Sequence, residues 1–190
     1  MKLNTPNKLT IARMIITPIY LAVILWEGLP HRFLIATLIF SVAAITAAID
    51  GKLARKNGEI TNFGKLLDPI ADKMLVTAGL LAFLKEGLCN IWIVFVIIIR
   101  EFVMTSLRLI ASSQGKVIPA NIFGKIKTVM QMVSFIVVML LCHVDDYFGW
   151  PISLMPADIS NILMGLSAVM GVVSAVIYYV QSKDVIDFNK

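Results

Sequence analysis

Long apolar runs separated by short charged stretches constrain this chain more than any other feature. Residues 9–26, 33–49, 74–84, 91–110, 122–142 and 159–180 are each dominated by Ile, Leu, Val, Ala, Phe and Met. Several approach the roughly 20 residues a helix needs to cross a bilayer. Hydrophobic residues make up 58% of the 190 and charged residues 15%, a balance unusual for a soluble domain of this length. The runs predict an all-α, polytopic membrane bundle of about six transmembrane helices, forming one domain over residues 1–190. The third run is short, unless its helix begins earlier, near Pro69, and carries Asp72 and Lys73 into the membrane boundary. The first run lacks a small-residue cleavage site and leads into another span, so it reads as a span and not as a cleaved leader.

Basic residues sort by side. Of the 17 Lys and Arg, only Arg32 and Lys85 fall on one side of the predicted spans. The positive-inside rule then puts both termini, and the charged stretch after the second span, in the cytosol. The net charge of +5 reflects this topology together with affinity for anionic membrane lipids. Nucleic acid is excluded as a partner, because no soluble basic domain exists to carry it. Cys89 and Cys142 read as small apolar fillers near the outer face, with a disulfide as the lesser alternative. His31 and His143 fall on that same side and read as interfacial residues. A polar turn at Asp145-Asp146 and an interfacial Trp150 belong there too.

Acidic residues are expensive beside apolar spans and mark function. Asp68 and Asp72 are four apart, on one face of a helix. Asp50 opens the polar stretch before them. Carboxylate oxygens suit a hard divalent cation, Mg²⁺ or Mn²⁺, better than zinc. With Arg55 and two glycines nearby, they point to a cation and a phosphate. All these acids lie at one face, which counts against a cation pathway through the bilayer.

The stretch resembles the signature of the CDP-alcohol phosphotransferases. Asp50-Gly51, Ala54-Arg55, Gly64, Asp68 and Asp72 match that pattern in type and spacing. The resemblance implies a two-metal site. There an alcohol attacks the phosphorus bonded to the lipid oxygen of a CDP-lipid, and CMP leaves. Asp50 and Asp68 are then metal ligands, and Asp72 is a ligand or the base that takes the alcohol proton. Gly51, Ala54 and Gly64 form a floor for the cytidine diphosphate, Arg55 meets the diphosphate, and Thr61 contributes a hydroxyl. Members of this family are commonly homodimers.

Flanking residues resemble the bacterial phosphatidylglycerophosphate synthase branch, which uses CDP-diacylglycerol and sn-glycerol 3-phosphate, and this resemblance implies a multi-pass protein of the bacterial cytoplasmic membrane. These are Pro6-Asn7, Leu9-Thr10 and Arg13, then Arg100-Glu101-Phe102, Thr105 and Leu107-Arg108, then the run from Gly124 to Thr128. On this resemblance Arg100, Arg108 and Lys125 receive the acceptor phosphate, and Asn7 joins the CDP site. Arg100 follows nine apolar residues and needs an anion, either Glu101 or that phosphate. Asn7 and Thr10 serve equally well as caps of the first helix. Sister enzymes using inositol phosphate, serine or phosphatidylglycerol, and a non-catalytic CDP-lipid binder, are the alternatives.

One position departs from the signature. Ala47 stands where the family has its first aspartate, one helical turn before Asp50 on the same face. Alanine cannot ligate, and the second span holds no other acid before Asp50. This implies impaired turnover. Because every other signature position is intact, an introduced aspartate-to-alanine replacement explains the pattern better than natural decay.

Overall fold

The computed structural model describes residues 5–57, 62–114, 122–149 and 156–182; the side chains of 5, 6, 48–57, 62–66, 68, 112 and 113 lie outside that description. Among the described residues there are six helices and no strands: α1 (Thr5–Leu25), α2 (Arg32–Asn57), α3 (Asn62–Lys85), α4 (Ile91–Ser113), α5 (Ile122–Phe148) and α6 (Pro156–Ser182). Every apolar run of the sequence falls on one of these helices.

Three boundaries differ from the apolar runs in an informative way. α2 continues eight residues past Ile49, because the polar residues that follow still include good helix formers such as Lys, Leu, Ala and Arg. α3 begins at Asn62, well before Pro69, so Asp72 and Lys73 lie inside the helix. α5 runs through Asp145 and Asp146, so these are helical and not a turn. The turn comes at Gly149, whose φ of 55° favours glycine.

Among the described residues, three helical segments are long and apolar enough to cross a membrane: Asn7–Leu25, Ile122–Phe148 and Pro156–Ser182. Arg32–Ala47 is apolar but shorter. α3 and α4 carry charges within their apolar lengths, notably Asp72 and Lys73 on α3 and Arg100, Glu101 and Arg108 on α4.

Packing closes the six helices into a ring in the order α1–α2–α5–α6–α4–α3. At the end away from the charged stretch, an aromatic cluster fills the middle. Phe40 packs on Tyr20 and Phe135 at 5.3 and 5.2 Å, Phe83 meets Phe135 edge-on at 5.0 Å, and all four rings are buried. The Tyr20 hydroxyl finds Met139 Sδ at 3.7 Å. α3 approaches this cluster through Gly79, where a Cβ would lie 2.8 Å from the Phe135 ring.

The turns at that end are also fixed by named contacts. Arg32 forms a two-pronged ion pair with Glu86 at 2.7 and 3.2 Å, donates to the Ile24 carbonyl, and lies over the Phe33 ring. That joins the end of α1, the start of α2 and the end of α3. His31, at φ 56°, meets His143 edge-on at 5.3 Å and Tyr147 at 5.4 Å, far along the chain from the acidic motif. Cys89 and Cys142 are both buried and both free, as the filler reading expects.

Candidate active site

A cavity of about 810 Å³ opens among α2, α3, α4 and α5. It lies on the charged side of the aromatic cluster. Ala47, on α2, is seven residues from Phe40, or about 10 Å along the helix axis.

The cavity unites what the sequence keeps apart. Ala47 and Asp72 line it from α2 and α3; Arg100, Glu101 and Arg108 line it from α4; Lys127 and Gln131 line it from α5. Asp50 follows Ala47 by three residues on α2, and Asp68 precedes Asp72 by four on α3, so both backbones share helix faces with residues of the cavity wall. Gly51, Ala54 and Arg55 continue along α2, and Gly64 lies in the first turn of α3. The side chains of Asp50, Arg55 and Asp68 lie outside the described residues, as does all of Thr61.

Asp72 is anchored from behind. Arg13 of α1 donates to its carboxylate, and that guanidinium is buried while the carboxylate is exposed. α1 can hold a guanidinium there because one face of its first half is polar: Asn7, Thr10, Arg13 and Thr17 are all buried, at helical spacing. Asn7 sits within the first turn of α1, which begins at Thr5, and is not among the residues that line the cavity.

The cationic wall is built around one carboxylate. Glu101 Oε1 accepts from Arg100 Nη1 at 2.8 Å and from Lys127 Nζ at 2.5 Å. Arg100 also donates through Nε to the Gly171 carbonyl and through Nη2 to Ser174 Oγ, both at 3.2 Å. A Cβ at Gly171 would make ordinary van der Waals contact with Arg100 and Lys127, at 3.6 and 3.7 Å. Arg100 thus finds its anion in Glu101, one of the two partners its apolar setting demands, and remains in the cavity wall. Arg108 stacks over Tyr178 at 5.7 Å. Arg100, Arg108 and Lys127 against Glu101 leave an excess of two positive charges, which suits a phosphate monoester dianion.

Lys125 is exposed and does not line the cavity; Lys127 does, buried to 2%. Two residues apart on a helix point in nearly opposite directions. The signal was present in the spacing of Lys127, Gln131 and Ser134, which marks a polar stripe along an otherwise apolar helix. Arg13 as partner of Asp72, and Gln131, were likewise legible only as polar residues in buried register.

A divalent cation fits the motif in donor type. The acids at positions 50, 68 and 72 offer only carboxylate oxygen, and Asp72 presents its exposed carboxylate to the cavity. Ala47 removes one such donor from that wall.

Known proteins are similar to this chain over much of its length. The sequence model described as CDP-alcohol phosphatidyltransferase matches residues 3–179. A Bacillus subtilis (strain 168) protein named CDP-diacylglycerol–glycerol-3-phosphate 3-phosphatidyltransferase is 37% identical over 187 residues, covering 93% of each chain. A protein of that name from Wigglesworthia glossinidia brevipalpis is 34% identical over 172 residues, covering 88% of this chain and 92% of its own. A Mycobacterium tuberculosis (strain ATCC 25618 / H37Rv) protein named probable phosphatidylglycerophosphate synthase is 39% identical over 133 residues, covering 69% of this chain and 63% of its own. Matched along nearly its whole length, and with the motif helices lining one cavity, the chain belongs to the CDP-alcohol phosphatidyltransferase family.

Proposed function

We propose that the cavity transfers the phosphatidyl group of CDP-diacylglycerol to sn-glycerol 3-phosphate, giving phosphatidylglycerophosphate and CMP, and that Ala47 impairs this turnover. The observation that carries the reading is the meeting, in one 810 Å³ cavity, of the motif wall with a cationic wall of net charge suited to a phosphate monoester. The near full-length similarity to the Bacillus subtilis protein supports the same donor and acceptor.

Each part of the wall then has a task. Asp50, Asp68 and Asp72 hold the Mg²⁺ or Mn²⁺ pair. When bound, such ions neutralise charge on the transferring phosphoryl group and make an acceptor hydroxyl easier to ionise. Asp72, to whose carboxylate Arg13 donates, serves as a ligand of that pair or as the base that takes the acceptor proton. Gly51, Ala54 and Gly64 leave room for the cytidine diphosphate, with Arg55, Thr61 and Asn7 as its polar contacts. Arg108 and Lys127 meet the acceptor phosphate, with Arg100 fixed beside them and Lys125 peripheral. All six helices span the cytoplasmic membrane of a bacterium, the cavity faces the cytosol, and the protein works as a homodimer.

The test is CMP release from CDP-diacylglycerol with glycerol 3-phosphate and Mg²⁺ or Mn²⁺, for the chain as it stands and for Ala47→Asp. Release restored by the aspartate supports the reading. Release only with inositol phosphate, serine or phosphatidylglycerol as acceptor would overturn the acceptor assignment. No release from either form, with any of these, points to a protein that binds CDP-lipid without turning it over.

A further inference from the structure

Gln131 stands where the cavity wall changes character. Lys127, one turn earlier on α5, belongs to the charged part; Met132, Val133 and Ile136, beyond it, belong to the apolar part. Gln131 is itself only 1% exposed, and its Nε2 has no hydrogen-bond partner among the described residues. Buried donors are nearly always satisfied, so an unmet amide in a cavity wall calls for a ligand that completes the bond. The α2 wall of the same cavity includes Ser41 and Ala44, whose side chains are short.

Position along the cavity says which part of a ligand that is. On the α2 wall, Ala44 and Ser41 lie three and six residues from Ala47 of the motif, about 4.5 and 9 Å of helix rise toward the apolar part. In a phosphatidyl donor a comparable distance, the length of a glycerol backbone, separates the phosphoryl group from the ester carbonyls that head the acyl chains. Those carbonyls accept hydrogen bonds and cannot donate them. A neutral donor serves them at this depth, where a charged one would be heavily desolvated. The terminal torsion of a glutamine is soft, so its NH₂ can turn toward the cavity without leaving a rotamer well.

We propose that Gln131 is a lipid-binding residue whose carboxamide donates a hydrogen bond to an acyl ester carbonyl of the CDP-lipid. This rests on the cavity taking a CDP-lipid, as argued above. Gln131 thereby makes the protein prefer ester-linked over ether-linked lipid.

The test measures dissociation constants of CDP-diacylglycerol and of its dialkyl ether counterpart with the full chain in detergent micelles. The unaltered protein is expected to favour the ester by about five- to tenfold, the worth of one net hydrogen bond. Gln131→Leu is expected to bring the ratio near one by weakening the ester alone. Gln131→Met, unbranched and of similar length, provides the same comparison if the leucine variant does not fold. A ratio unchanged in the variants, or a ratio of one in the unaltered protein, would overturn the role of Gln131. If neither lipid binds the unaltered protein, the CDP-lipid reading itself falls, and this inference falls with it.

Discussion

Arg13 and Asp72 are paired across 59 residues of sequence, with the guanidinium side chain 1% exposed and the carboxylate side chain 59% exposed. The asymmetry is that of a strut. One end is fixed in the packing of α1 against α3, and the other projects to the cavity wall. A flexible carboxylate on its own would sample several rotamers; a guanidinium behind it restricts those it can take.

The first prediction concerns that strut. In an Ala47→Asp background, Arg13→Gln is expected to lower kcat for CMP release by about 10- to 100-fold, the usual effect of losing a group that orients a metal-binding or catalytic side chain. The KM for glycerol 3-phosphate should change little, because Arg13 does not line the cavity. Stability should fall by only about 1 kcal/mol, since water screens the carboxylate end of the pair. Steady-state kinetics alongside thermal unfolding in detergent separates the two effects; an unaltered kcat would remove Arg13 from the machinery.

Cys89 gives a prediction in pH. It lies in the turn between α3 and α4, and burial pushes its thiol up to about 11, a shift that a hydrogen bond with the Asn90 backbone only partly opposes. The thiolate is the reactive form, so at pH 8 roughly one thiol in a thousand is reactive. Labelling of the folded protein with a maleimide should therefore be slow at neutral pH and should rise about tenfold for each pH unit up to pH 11. Mass spectrometry of the turn peptide after timed labelling reads this directly, with the protein unfolded in detergent as the fast reference.

Gly79 supplies a prediction in packing. A methyl group at this position would lie 2.8 Å from the Phe135 ring, which is itself held by Phe40 and Phe83 and has nowhere to turn. Gly79→Ala is expected to destabilise by about 1–3 kcal/mol, the usual effect of overpacking, despite the better helix propensity of alanine. The unfolding midpoint in detergent should fall accordingly. A rise would mean that the aromatic cluster has slack in it.

These residues also show what the sequence carries and what it does not. Helix positions were legible because apolar runs dictate them, and even the early start of α3 followed from asking how Asp72 and Lys73 could precede so short a span. The motif groups Ala47 with Asp72, and both line the cavity. Pairing across helices was not legible. Nothing in the chain says that Arg13, an ordinary basic residue near the start, will meet Asp72. Membership of the cationic wall was partly legible, since Arg100 and Arg108 are eight apart on similar faces of α4. Between two lysines separated by a single isoleucine, only the packing of α5 against α2 and α6 decides which turns inward.

That choice between lysines yields the last prediction. Lys127 is buried in the wall and bonded to Glu101, while Lys125 is exposed and outside it. If an acceptor phosphate docks on this wall, Lys127 contributes a charge-assisted bond and Lys125 only a distant, salt-screened attraction. In the Ala47→Asp background, Lys127→Met should raise the KM for glycerol 3-phosphate by about tenfold or more, the worth of one hydrogen bond to a charged group. It should also lower stability, because Glu101 loses one of its two cations and keeps only Arg100. Lys125→Ala should raise KM less than about threefold, and 0.5 M salt should erase that difference by screening an exposed charge. Equal effects from the two substitutions would mean that the acceptor approaches from the exposed face of α5 and not through the cavity.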